Sequence, residues 1–174
     1  MTEPKGPMQR ATNVRLRNVE PGDLPIFFSH QSDPDACMMA AFPGRDWDAF
    51  TAHWSRMMDD PKVRIQTVLV DDQVVGSVGS WESEWRRLVC YWIGKEWWGR
   101  GIASAALAAL LERDSIRPIY AHVAKHNFAS IRVLEKCGFT LCFGFTESPP
   151  MGDDEVEELV YRLCPAKTGP ADAG

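Results

Sequence analysis

The 174 residues are 45% hydrophobic and 25% charged, with a formal net charge of −5. That balance suits one globular domain with its own core and excludes a polyanion-binding surface built on overall charge. The five cysteines form no CxxC pair, no apolar run nears the ~20 residues of a membrane span and no leader pattern opens the chain. A single cytoplasmic domain over residues 1–174 is expected, ordered over about 13–164, with no metal, membrane or nucleic-acid partner.

The first dozen residues and the last ten are rich in Pro, Gly and Ala, and they are expected to fray. VRLRNV (14–19) alternates like a strand. PGDLPIFFSHQSD starts a helix, with Pro21 and Asp23 at its head. In DWDAFTAHWSRMMDD, Trp47, Phe50, Trp54 and Met57 recur every three or four residues and predict a second helix. VRIQTVLVDDQVVGSVGSW reads as two antiparallel strands turning at Asp71-Asp72, and RRLVCYWIG (86–94) as a third. A glycine turn and the helix IASAALAALLERD come next, then the strand RPIYAHVA (117–124); strand–helix–strand in this order is a parallel crossover. NFASIRVLEKCG is a helix capped by Asn127 and stopped by Gly138, and FTLCFGF and EVEELVYRL are closing strands. The class is α/β or α+β, a mixed sheet flanked by about four helices.

The turn GKEWWGRGIAS places two glycines and an arginine at the mouth of a helix, a setting that binds anions. A P-loop requires Lys-Ser/Thr where Arg100-Gly101 stands. A dinucleotide fingerprint requires a ribose-binding acid about 20 residues on, and PIYAHVAKHN offers none. A tight turn with no ligand is the bland alternative, which leaves Trp97 and Trp98 unexplained.

Trp98-Gly99-Arg100-Gly101-Ile102-Ala103 resembles the [QR]xxGx[GA] signature of the GNAT acyl-CoA N-acyltransferases, with an aromatic residue in the leading position. AHVAKHNFASIRVLEKCGF is similar to the second block of one branch, the ribosomal-protein N-terminal acetyltransferases. The two blocks span about Arg86 to Phe139. The resemblance implies a mixed, mostly antiparallel sheet of about seven strands with a β-α-β cofactor core. It further implies acetyl-CoA as co-substrate, a small-molecule or peptide amine as acceptor, and a possible homodimer. Tyr91, Trp92 and Ile93 would lie along the pantetheine arm, and a backbone N–H there would hold the thioester oxygen. Trp98, Gly99, Arg100, Gly101, Ile102, Ala103 and Ser104 would cradle the pyrophosphate, where glycine allows close backbone approach.

By the same resemblance Ser130 donates a proton to the leaving thiolate, and Asn127 touches the cofactor while capping its helix. For Ser130 the structural alternative is a first-turn hydroxyl bonded to backbone. Glu147, the nearest acid after the GF strand, is the expected base, with Glu82 and Glu84 as rivals. Leu88 stands where the branch has an acidic residue. His122 could face the substrate, and His122 and His126 lack metal-ligand spacing. Cys90 and Cys137 read as packing residues, since direct attack by the amine needs no acyl-enzyme. The alternative to an enzyme is a non-catalytic acyl-CoA-binding module.

Overall fold

A computed structural model describes residues 13–84, 86–142 and 157–166. The first dozen residues, positions 167–174 of the other terminus and positions 143–145 of the FTLCFGF stretch lie outside these. Seven strands form one sheet: β1 (Val14–Asn18), β2 (Arg64–Val70), β3 (Gln73–Ser83), β4 (Arg86–Ile93), β5 (Ile119–Ala124), β6 (Thr140–Leu141) and β7 (Glu158–Leu163). Their order is β1-β2-β3-β4-β5-β7-β6. All neighbours are antiparallel except β4 and β5. The β2–β3 turn sits at Asp71 and Asp72, both with positive φ, a conformation short polar side chains tolerate.

The described helices are α1 (Leu24–Gln31), α2 (Pro34–Ala40), α3 (Trp47–Asp59), α4 (Ile102–Arg113) and α5 (Phe128–Lys136). The sequence pattern passed over α2, whose seven residues give under two turns of periodicity. Its signal was the start SDP, in which the Asp33 side chain accepts from the N–H groups of Asp35 and Ala36 while Pro34 fills the first turn. On one face of the sheet α4 buries Ile102, Ala106, Leu107 and Leu110 against Val78, Val89 and Ile119. On the other, α1 and α3 pack Phe27, Phe50 and Trp54 together, with Phe50 and Trp54 ring centroids 5.8 Å apart.

The crossover β4–α4–β5 positions the site. β4 and β5 pair only at Arg87–Ile119 and Leu88–Tyr120, then part. At the closed end of this V a buried carboxylate ties the pieces together. Asp114, just after α4, accepts from Ser80 Oγ on β3 at 2.5 Å and from Arg87 Nη2 on β4 at 2.7 Å. At the open end β3 approaches β4 so closely that a Cβ on Gly76 would stand 2.1 Å from the Trp92 carbonyl, so only glycine fits there.

Candidate active site

The gap between the parted strands opens into a cleft of about 440 Å³. Its walls are the end of β4, the glycine turn, the start of α4, one face of α5 and part of α2. Tyr91, Trp92, Ile93, Trp98, Gly99, Gly101, Ile102, Ala103, Ser104, Asn127 and Ser130 all line it. The strand, the turn and the second block, separated in sequence, thus meet around one space.

The backbone supplies donors along two of the walls. Gly94 N–H bonds the Val75 carbonyl at 2.9 Å, which brackets the Ile93–Gly76 pair and makes it a non-hydrogen-bonded one. The main-chain groups of Ile93, and of Tyr91 two residues earlier, therefore point away from β3 into the gap. Those of Trp92 point to β3, so Trp92 offers its side chain instead. The Ile93 carbonyl takes the Trp98 indole N–H at 2.8 Å, which pins the turn to the strand.

Gly99 (φ 74°) and Gly101 (φ 77°) are left-handed, and Gly101 is the N-cap of α4. The first helical bond of α4 is Ala105 N–H to Gly101 carbonyl at 3.1 Å. No acceptor among the described residues takes the N–H groups of residues 99 to 104. A Cβ on Gly101 would meet nothing within 4 Å, so this is open space edged by free donors.

The side chains add a positive lining. Arg132 and Lys136 face the cleft, and none of its lining residues is Asp or Glu, in a chain of net charge −5. They were not singled out in the sequence. Their signal was the spacing of Ala129, Arg132, Val133 and Lys136, one face of α5. Arg100, by contrast, is not a lining residue. Its guanidinium stacks 4.9 Å from the Trp97 ring centroid and donates to the Glu96 carbonyl at 3.0 Å, leaving its backbone N–H toward the cradle.

Ser130 Oγ does not bond to backbone. It sits 2.5 Å from Tyr91 Oη, while the Asn127 Oδ1 accepts the Ser130 N–H at 3.1 Å as the helix cap. Asn127 therefore keeps both amide hydrogens to donate. Burial pushes the Tyr91 phenol well above its ordinary value, only partly offset by its bond to Ser130. The Tyr91 phenol, which also donates to the Ser130 carbonyl at 3.1 Å, is thus protonated.

The candidate bases separate. Glu147 lies outside the described residues. Glu82 pairs with Arg87 and shares the parity of Val89 and Tyr91, on the α4 side of the sheet; Glu84 is exposed in the following turn. Leu88, Cys90 and Trp92 face the other side. Contrary to the packing expectation Cys90 is exposed, although β4 is an interior strand. Burial by its surroundings pushes the Cys90 thiol up to about 12. His122, on β5 two residues past the last β4–β5 pair, shares this face, and its Nδ1 lies 3.3 Å from Glu158 Oε2. His126 instead bonds the Met38 carbonyl through Nε2 at 2.8 Å. Among the described residues no group of three or more His, Cys, Asp or Glu could hold a metal, and no helix is long and apolar enough to cross a membrane.

Residues 13–140 match the acetyltransferase (GNAT) domain. A search of curated proteins gave no match. Among solved structures, a GNAT-family acetyltransferase from Bacillus anthracis superposes with TM-score 0.75 at 19% identity, over 90% of this chain and 97% of that one. The spermidine N-acetyltransferase of Vibrio cholerae, solved with CoA and spermine, gives 0.72 at 20% over 86% and 92%. The ribosomal L7/L12 α-N-protein acetyltransferase RimL, in complex with coenzyme A, gives 0.73 at 18% over 88% and 94%. At these identities the superpositions establish the fold, and the domain match establishes the lineage: this chain belongs to the GNAT family of acyl-CoA-dependent N-acetyltransferases.

Proposed function

We propose that the chain is a single-domain, cytoplasmic enzyme that moves an acetyl group from acetyl-CoA to a primary amine by direct attack within a ternary complex. The observation that carries this is the Tyr91–Ser130 pair in the same cleft as the free N–H groups of residues 99 to 104. Acetyl-CoA supplies an activated acyl thioester and an anionic tail. Gly99 to Ser104 would take the pyrophosphate, Arg132 and Lys136 would add charge, and Asn127 would donate to the pantetheine amides. The N–H groups of Tyr91 and Ile93 are the donors available to the thioester oxygen.

Ser130, backed by Tyr91, would protonate the departing thiolate. The amine must lose a proton, and an α-amine near ~7.7–8.0 loses it far more readily than a lysine near ~10.4. This agrees with the resemblance to the N-terminal acetyltransferase branch. We assign proton removal to His122, whose Nδ1 is held by Glu158 so that Nε2 is the nitrogen left to take the proton; Glu147 is the alternative. Thiol release with acetyl-CoA and an accepted amine tests both roles. Ser130→Ala is expected to lower kcat about tenfold to a hundredfold while CoA affinity holds, and an unchanged kcat removes Ser130 from the chemistry. His122→Gln is expected to lower kcat about tenfold or more while CoA affinity holds. An unchanged kcat hands the base to Glu147 or to water.

A further inference from the structure

The face of the sheet that holds Trp92 and His122 carries a group of cations that the reaction above does not use. Arg45, in the loop between α2 and α3, lays its guanidinium 4.6 Å from the Phe42 ring centroid. Phe42 in turn meets Trp92 edge-on, with centroids 6.1 Å apart. Two ring contacts therefore connect Arg45 to the cofactor strand, on the face that also holds Cys90 and His122. His53 and Arg56, three residues apart on α3, are close enough for Arg45 to repel their charges and Arg56 to repel its own. Arg86, on the same face of β4, covers the Tyr120 ring at 5.5 Å.

What sets Arg45 apart is its company. It is half-buried, and among the described residues it has neither a carboxylate partner nor a hydrogen-bond acceptor. Its charged neighbour is instead a second cation, Arg56; burial and then that neighbour hold Arg45 below its ordinary value. His53 is lowered by burial, then by Arg45 and Arg56. The carboxylate identified on this face, Glu158, is engaged with His122. Clustered cations repel one another, and the repulsion is relieved when an anion sits among them.

We propose that the acceptor is a primary amine whose far end bears a carboxylate or phosphate, and that Arg45, with His53 and Arg56 beside it, receives this anion while the amine points along Trp92 toward the V. The proposal rests on the acetyltransferase reading above and narrows its substrate. It also sets this chain apart from the spermidine-acetylating neighbour, because a polycation would meet like charge here.

The test is a steady-state panel with acetyl-CoA: α-amino acids, dipeptides with a free C-terminus, aminoalkyl phosphates, neutral alkylamines and spermidine. Anion-bearing amines are expected to exceed spermidine and neutral amines in kcat/KM by about tenfold or more. The carboxylate and phosphate arms show which anion is preferred. Arg45→Gln is expected to raise KM for the anionic acceptor about tenfold with a smaller change in kcat. Arg45→Lys restores part of that loss, and Arg56→Gln gives a weaker version of it. A preference for spermidine, or an Arg45→Gln variant with unchanged KM, overturns the proposal. Calorimetry of the same acceptors against the CoA-loaded protein separates the two readings. Binding of an anionic amine that Arg45→Gln abolishes, without turnover, supports the site and overturns the enzyme; turnover of neutral amines alone overturns the site and keeps the enzyme.

Discussion

Gly101→Val is expected to reduce CoA affinity at least about a hundredfold by calorimetry while leaving the protein folded. Two physical terms separate here. A Cβ at this position meets nothing within 4 Å, so the fold itself has room for one. The backbone has φ 77°, where a β-branched residue costs about 1–2 kcal/mol of strain. That strain lowers the melting temperature by a few degrees in a chain of this size. The ligand is expected to bear the larger loss, because in the proposed binding mode the phosphate approaches the free N–H groups through the open space at Gly101. The double variant Arg132→Gln/Lys136→Gln provides a contrast. It is expected to lose about tenfold, and its affinity should depend less on salt than the parent's. The loss in Gly101→Val should persist at all ionic strengths. CoA binding at parental strength by Gly101→Val would mean that the cradle lies elsewhere.

These features differed in how legible they were. The glycine turn, the Asn127 cap and the Gly138 stop are local: residue type alone dictates a φ or a capping bond, and a sequence displays both. The crossover was readable for a similar reason, since a strand, a helix and a strand in succession leave one right-handed arrangement. The α2 helix was hidden because seven residues carry too little periodicity against a cap signal that reads equally as the end of α1. Strand parity was hidden for another reason. Whether Trp92 or its neighbours open their backbone to the gap depends on the bond from Gly94 to Val75. That bond is a tertiary fact fixed by the β3–β4 register. The same register put Glu82 on the α4 side of the sheet, the face opposite to Trp92 and His122. Contacts over long sequence separation were out of reach altogether: Tyr91 with Ser130, Phe42 with Trp92, His122 with Glu158. The chemistry proposed for the site rests on those three pairs.

The site also depends on its hinge, and Asp114→Asn should expose that dependence with a loss of about 3–5 kcal/mol of stability. Asp114 is 2% exposed and holds Arg87 Nε at 2.9 Å, Arg87 Nη2 at 2.7 Å and Ser80 Oγ at 2.5 Å. Removing its charge strands a guanidinium that is itself only 8% exposed. Burial by itself would raise the Asp114 carboxyl. The bonds from Ser80, Arg87 and the Ile116 N–H outweigh it and hold the folded value below the ordinary one. A carboxyl depressed in the folded state contributes stability that is fully present above its unfolded value of about 3.9 and lost as pH falls through the folded value. The parent and Asp114→Asn should therefore differ most near neutrality, begin to converge below about pH 4 and meet only once the pH has fallen through the folded value. Denaturant melts across that range measure this directly. Adding Arg87→Met to Asp114→Asn should recover part of the loss, because the stranded cation goes with it. Since Arg87 is also the residue at which β4 still pairs with β5, the single variant should loosen the V and raise KM for acetyl-CoA; the double variant should restore stability more fully than KM. Equal losses at pH 3 and pH 7 would show that the pair is not the clamp.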